Sequence, residues 1–305
     1  MSAPAPAKKA LWEQLGGHWP NREFSHFVQA AGLRWHVQQM GQGPVLLLVH
    51  GTGAANHTWR ELTPQLSRHF TLVAPDLPGH GFTELPTQER LSLPAMAQAL
   101  GELLKTMKVQ PIATVGHSAG AAILARACLD GDLQPRLLIS LNGAFLPLSG
   151  FSGHLFSPLA KLFATGSIAS RLIAWRARDR TAVERLLRST GSTLDTAGID
   201  AYWHLVRDPD HIAGVLGMMA QWDLRPLLRS LPLLEPHLLL IVGTQDKTIP
   251  ATQADRVLAL LPSARLIAIP RLGHLAHEEQ PAKIATIITD AARAAGVLKN
   301  ACQSL

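Results

Sequence analysis

The sequence predicts an α/β protein, in which helices flank a mostly parallel sheet of eight strands. The first observation is a set of short apolar runs with helical stretches between them, as at 92–108. Strands buried on both faces of a parallel sheet read as such near-continuous apolar runs. The runs lie at 44–50, 70–75, 111–115, 137–142, 238–243 and 264–269. The second observation is residues 24–39, where Ala-Ala-Gly separates two extended halves, as is typical of an opening hairpin.

The third observation is Thr-Val-Gly-His-Ser-Ala-Gly at 114–120, which sets a serine where a strand becomes an Ala-rich helix. A serine at such a sharp turn has a strained backbone, so the residues two before and two after it must be nearly free of side chain. Gly116 and Gly120 meet this need. The pattern is a nucleophile elbow, and it predicts Ser118 as a nucleophile.

A serine hydroxyl needs a histidine to take its proton and a carboxylate to hold that histidine. Both follow strands later in the chain, Asp246 after 238–243 and His274 after 264–269. The order Ser, acid, His is typical of the α/β-hydrolase fold. His277 is an alternative base, although the position directly after Gly273 favours His274.

The strand 44–50 leads into Gly51-Thr52-Gly53, where small residues expose backbone N–H groups. In this fold such a loop and the residue after the nucleophile form the oxyanion hole, which indicates Thr52 and Ala119 as donors. The candidate substrate-contacting residues include His50, Gly51 and His117. Their alternative roles are to shape the loop or to pack beneath the turn.

Strand 137–142 and the strand that begins near 237 are too far apart for a plain loop. Because this stretch has helical periodicity, we expect an inserted helical cap at 145–230. The core is then 23–144 with 231–305, and residues 1–22 form an irregular arm. A chain of 305 residues with 47% hydrophobic content can bury one such core.

Composition excludes several classes of protein. The net charge is +6, but the chain has no lysine run and no nucleic-acid-binding module, so no nucleic-acid partner is expected. It has no His-Glu-x-x-His or phosphate-binding loop, so neither a metal nor a cofactor is expected. Two cysteines, no signal-peptide pattern and no apolar span of about 20 residues predict a cytoplasmic protein without a transmembrane segment.

The arginines of 171–188 admit two interpretations. They form a solvated helix face paired with Asp179 and Glu184, or they attract an anionic ligand, a membrane surface or an acidic partner.

Beyond these general motifs, several segments resemble the BchO family, the α/β-hydrolase-like magnesium chelatase accessory proteins of bacteriochlorophyll synthesis. Three lie in the core: Val-His-Gly-Thr-Gly-Ala-Ala-Asn-His-Thr-Trp (49–59), Ala-Pro-Asp-Leu-Pro-Gly-His-Gly-Phe-Thr (74–83) and Gly-His-Ser-Ala-Gly-Ala-Ala (116–122). The more specific ones include Arg-Ser-Thr-Gly-Ser-Thr-Leu-Asp (188–195) and Gly-Met-Met-Ala-Gln-Trp-Asp-Leu-Arg-Pro-Leu (217–227) of the expected cap.

The resemblance implies a role at or near magnesium insertion into protoporphyrin IX, with magnesium chelatase subunits as partners. Two hypotheses remain open. One is a serine hydrolase acting on an ester or related acyl bond of a bulky apolar substrate. The other is a non-catalytic accessory protein that binds porphyrin or the chelatase, with Arg176 and Arg178 as candidate partners for porphyrin carboxylates.

Overall fold

The computed structural model describes residues 7–147 and 179–299, and it confirms the predicted α/β-hydrolase fold. All eight predicted strands form one sheet in the order β1-β2-β4-β3-β5-β6-β7-β8. The strands are β1 (Ser25–Ala30), β2 (Leu33–Met40), β3 (Val45–Val49), β4 (Thr71–Pro75), β5 (Ala113–His117), β6 (Leu137–Leu141), β7 (His237–Gly243) and β8 (Arg265–Ile269).

The sheet is parallel from β4 to β8. The predicted opening hairpin is present, because β1 pairs antiparallel with β2, and β2 in turn pairs antiparallel with β4. The remaining pairs, from β3–β4 to β7–β8, are parallel. The carboxyl ends of parallel strands meet at one edge, where open α/β sheets bind their ligands. The loops after β3, β5, β6, β7 and β8 therefore converge.

Helices cover both faces of this sheet. In the described residues they are α1 (Ala7–Leu15), α2 (Thr63–Leu66), α3 (Leu93–Met107), α4 (Ala119–Leu129), α5 (Arg180–Ser189), α6 (Thr196–Val206), α7 (Pro209–Gln221), α8 (Arg225–Ser230), α9 (Thr252–Leu260), α10 (Ala276–Glu279) and α11 (Pro281–Ala294). One apolar cluster joins α3, α4 and α9 to the sheet, and a second joins α2 and α11 to it. Among these residues no helix is both long and apolar enough to cross a membrane.

The N-terminal segment differs from the irregular arm that the sequence predicted. It contains α1 and a short 3-10 helix, Gly16–His18. The Trp12 ring contacts Phe27 and Phe82 edge-on. Buried Lys8 donates hydrogen bonds to the carbonyl of Gly81, at 2.7 Å, and to Asp208, at 2.5 Å. The segment is ordered by these tertiary contacts, for which the local sequence pattern gives little signal.

In its described part, the long segment between β6 and β7 contains the helices α5 to α8, in agreement with its predicted periodicity. Part of it, 148–178, lies outside the described residues. Predictions that fall there include the roles of Arg176 and Arg178. Cys302 also lies outside, whereas Cys128 is a free, partly buried thiol whose pKa is raised by burial to about 12.

Candidate active site

Ser118 occupies the predicted turn between β5 and α4. Its φ is 51° and its ψ is −118°, a strained conformation for a residue with a side chain. A Cβ on Gly120 would lie 2.2 Å from the carbonyl oxygen of Val49, and one on Gly116 would lie 2.5 Å from the backbone of Ala121. Real side chains do not reach such distances, so the turn can close only with glycine at both positions.

Asp246 and His274 come together at the carboxyl ends of β7 and β8. The Nδ1 of His274 donates to Oδ2 of Asp246 over 2.7 Å, and both residues are buried. A carboxylate in this place fixes the imidazole tautomer with Nδ1 protonated, which leaves Nε2 free to accept a proton. The pair therefore has the arrangement of a general base with its orienting acid.

Asp246 is held by three other donors. Its Oδ1 accepts from the backbone N–H of Thr248 and of Ile249, over 2.7 and 2.8 Å. Its Oδ2 accepts from Nδ2 of Asn142 over 2.7 Å, in addition to the bond from His274. Asn142 follows β6 directly and was not singled out from the sequence. The backbone of Asn142 has a left-handed φ of 48°, which asparagine tolerates well, but this angle cannot be read from a sequence.

His277, the alternative base, is placed differently. Its Nε2 lies 2.6 Å from Oγ1 of Thr58, and complete burial lowers the pKa of His277 to about 3. Thr58 in turn donates to Glu278 over 2.7 Å, so its own oxygen is left to accept from His277. Of the two histidines, His274 is thus the one that carries a carboxylate partner at this edge of the sheet.

The loop after β3 lies directly against the elbow. A Cβ on Gly51 would be 3.0 Å from Cβ of Ser118, so the loop approaches the nucleophile as closely as glycine permits. Ala119 opens α4, where the first N–H groups of a helix have no intrahelical acceptor. The loop residue Thr52 points its hydroxyl at the sulfur of Met218, 3.4 Å away, so its backbone N–H is the group to consider for an oxyanion.

His50 and His117 both lie beneath this loop rather than in the open. The Nε2 of His50 accepts from the backbone N–H of Leu77 over 2.9 Å, and its Nδ1 then donates to the carbonyl of Gly51 over 2.8 Å. His117 donates from Nε2 to the carbonyl of His274 over 3.0 Å. Burial lowers the pKa of both imidazoles, so each is neutral and ties a loop in place.

Two contacts join the helices after β6 to residues 51–53, the predicted oxyanion loop, and no local sequence pattern indicates either contact. His211 of α7 donates from Nε2 to the carbonyl of Gly53 over 3.3 Å, while its Nδ1 accepts from the N–H of Gly81. Met218 of the same helix meets Thr52. Since His211 is completely buried, its pKa is well below the ordinary value and the ring is neutral. Helix α7 therefore supports the loop that faces Ser118.

A buried polar cluster lies behind His274. The carboxylate of Glu278 accepts from Arg60, from Thr58 over 2.7 Å and from the hydroxyl of Tyr202 over 2.8 Å. Arg60 also bonds Asp195, the N-cap residue of α6, over 2.8 Å. Burial raises the pKa of Glu278 even though Arg60 lowers it. This cluster links α6 to the chain that carries His274.

The described arginines of 171–188 pair with acids on the helix surface. Arg188 bonds Glu184 over 2.8 Å, and Arg185 lies 3.7 Å from Asp179. These contacts agree with the solvated-face interpretation for this part of the segment. No group of three or more potential metal ligands occurs in residues 7–147 and 179–299.

Comparison with known proteins agrees with the fold. A model described as "Alpha/beta hydrolase family" matches residues 46–287. The chain is 36% identical over 278 residues to the "Magnesium-chelatase 30 kDa subunit" of Rhodobacter capsulatus, and the match covers 90% of this chain and 97% of that protein.

Two more distant proteins are also similar to this chain, one in sequence and one in structure. The "Pyrrolizixenacetamide deacetylase" of Xenorhabdus hominickii is 28% identical over 251 residues, which cover 79% of this chain and 88% of that enzyme. The crystal structure of an alpha/beta hydrolase fold protein from Burkholderia ambifaria superimposes with a TM-score of 0.73 at 24% identity, covering 88% of this chain and 97% of that one.

Proposed function

Because the chain belongs to the alpha/beta hydrolase family, and within it to the family of the magnesium-chelatase 30 kDa subunit, we propose that it is a serine hydrolase of bacteriochlorophyll biosynthesis. Its substrate is an ester, or related acyl compound, with a bulky apolar group. The observation that carries the chemistry is the 2.7 Å bond from His274 to Asp246, together with the strained serine of the elbow.

In the proposed reaction Ser118 Oγ attacks the carbonyl carbon while Nε2 of His274 takes the hydroxyl proton. Asp246 stabilises the imidazolium, and the N–H groups of Thr52 and Ala119 stabilise the oxyanion. The tetrahedral intermediate then expels the alcohol, which receives the proton from His274 and leaves an acyl-enzyme. Water, deprotonated by the same histidine, releases the acid and restores Ser118.

The helices at 179–230 fit the role of a cap, and we extend this proposal to the whole of 145–230. They contact the oxyanion loop through α7 and the His274 loop through Ser192, whose Oγ accepts from the N–H of Leu275 over 2.8 Å. An insertion attached at both places would lie over the crevice, where it would enclose an apolar substrate. The core would then consist of 23–144 and 231–305.

A fluorophosphonate probe tests the chemistry directly, because it forms a covalent bond only with an activated serine. We expect it to label the wild-type protein at Ser118, as identified by peptide mass spectrometry. Ser118→Ala should abolish labelling and hydrolysis of a model ester while the protein remains folded by circular dichroism. A wild-type protein that is never labelled, or an alanine variant with undiminished turnover, would refute the hydrolase assignment.

A second candidate function rests on the 36% identity to a chelatase subunit. In this second function the chain is a non-catalytic accessory protein that binds porphyrin or the chelatase, and the crevice at the carboxyl ends of the strands is a docking cavity. Complementation separates the two: Ser118→Ala is expected to fail in a phototrophic host that lacks this chain, and full restoration of magnesium-porphyrin pools would favour the accessory. In that event protoporphyrin binding should weaken in the Arg176→Ala and Arg178→Ala variants and with added salt.

A further inference from the structure

A small enclosed cavity is lined by Asn142 and Ile249, both of which donate hydrogen bonds to Asp246. It has room for about one water molecule. Most of its lining is apolar, including Phe145, Leu240, Val242, Ile249 and Val257. Three polar side chains interrupt that lining, namely those of Ser140, Asn142 and Gln253.

Each of these three side chains has one buried oxygen without a hydrogen-bond partner in the described part of the chain. These oxygens are Oγ of Ser140, Oδ1 of Asn142 and Oε1 of Gln253. The orientation of the asparagine is fixed, since its Nδ2 donates to the carboxylate of Asp246, which can only accept. A buried polar atom without a partner is costly, so three around one cavity indicate an occupant.

The donors and acceptors identify that occupant. Two amide oxygens can only accept, and one hydroxyl can donate. A water molecule gives two hydrogens and takes one, so it satisfies all three side chains at once. A cation would use the oxygens but would leave the hydroxyl hydrogen unpaired, and the cavity is too small for an organic ligand.

We propose that an internal water bridges Ser140, Asn142 and Gln253, and that Asn142, held by this water, is a positioning residue for the acid Asp246. The kinetic consequence of this proposal depends on the proposed triad, whereas the presence of the water does not. Asn142 and His274 share one oxygen of Asp246, so the direction of the asparagine amide sets the position of the carboxylate that orients the base. The water prevents that amide from turning over.

A crystal structure tests the water independently of activity. At a resolution that shows ordered solvent, we expect one peak within about 3.2 Å of all three oxygens. Gln253→Leu should remove the peak or leave Asn142 with a rotated amide. An empty cavity in the wild-type crystal would overturn the proposal.

Kinetics test the positioning role. Asn142→Gly tolerates the positive φ, so it removes the side chain without backbone strain. We expect about tenfold slower fluorophosphonate labelling of Ser118, since a hydrogen bond to a charged acceptor is lost. Gln253→Leu should slow labelling about threefold, whereas Gln98→Leu, at an exposed glutamine of α3, should leave the rate unchanged.

Asn142→Asp gives a readout that a merely structural role would not move. The substitution keeps the size of the side chain but places a second carboxylate next to that of Asp246. Two adjacent carboxylates share a proton at low pH. The labelling rate relative to wild type should therefore be lower at pH 8 than at pH 5. Equal ratios at both pH values would contradict the positioning role. If wild-type Ser118 were not labelled at all, the hydrolase assignment would be refuted. The crystal structure would still decide whether the water is present.

Discussion

The hydroxyl of Ser192 accepts a hydrogen bond from the backbone N–H of Leu275, the residue directly after His274. Next to this bond Gly191 touches Gly273 so closely that a Cβ on Gly273 would lie 2.3 Å from the carbonyl carbon of Gly191. The turn between α5 and α6 is thus built onto the loop of the proposed base. These contacts explain why the segment 188–195, which carries part of the sequence resemblance, has a glycine at 191 and a serine at 192.

Ser192→Ala should slow labelling of Ser118 by about threefold to tenfold, because the loop of His274 loses a buried acceptor. The rate of labelling under pseudo-first-order conditions measures this effect. Ser189→Ala is the matched control, since that exposed hydroxyl bonds only locally, to the carbonyl of Leu186. Equal rates for both variants would mean that the cap does not position the base.

Gly273→Ala should destabilise the protein by about 1–3 kcal/mol, the usual cost of forcing a methyl into a filled site. Here the neighbouring atoms are backbone and cannot rotate away. Urea denaturation measures the free energy of unfolding. Gly17→Ala is the control, because nothing lies within 4 Å of a Cβ at that position. A neutral Gly273→Ala would show that the two loops are not in contact.

Arg60→Met should cost about 3–5 kcal/mol in the free energy of unfolding, because it leaves the buried carboxylate of Glu278 without its cation. The cost should be smaller at pH 5 than at pH 8. Burial raises the pKa of Glu278, and without Arg60 the folded protein holds that proton still more tightly than the unfolded chain, so stability falls as the pH rises. Arg126→Met, which removes a partly exposed i,i+4 pair with Asp130, should cost less than about 1 kcal/mol.

Acid should destabilise the protein below about pH 6.5, the ordinary pKa of histidine. Burial lowers the pKa of His80 and of His277 to about 3. Between these values only the unfolded chain binds the protons, so the stability that is complete at neutral pH is lost as the pH falls. Each such histidine contributes a slope of about 1.4 kcal/mol per pH unit.

Urea titrations at pH 7.5 and pH 5.5 measure that slope. His80→Asn keeps a donor for the carbonyl of Pro78 and should reduce the proton uptake on unfolding by about one. Gln98→Leu, at an exposed position of α3 without a titratable group, should retain the wild-type pH dependence. An unchanged slope in His80→Asn would mean that this buried ring is not neutral.

The sheet could be predicted from sequence because buried parallel strands are apolar runs, and each predicted strand lies within about two residues of its observed position. The turn at Ser118 was predictable for a different reason, since glycine at 116 and 120 is a steric requirement that the sequence displays. Sequence analysis did not predict the roles of three residues, Asn142, Ser192 and His211. Their hydrogen-bond partners lie 104, 83 and 158 positions away along the chain, respectively. Long-range polar contacts of this kind leave no local periodicity.

The buried bond between Lys8 and Asp208 has a practical consequence for anyone who prepares this protein. A shortened version that starts at Trp19 would retain every strand and every proposed catalytic group. It would nevertheless lose the counter-charge of Asp208, whose side chain is only 11% exposed and whose oxygens cap α7. That helix carries His211 and Met218, which hold the oxyanion loop. An N-terminal deletion that removes Lys8 would therefore mimic an active-site defect.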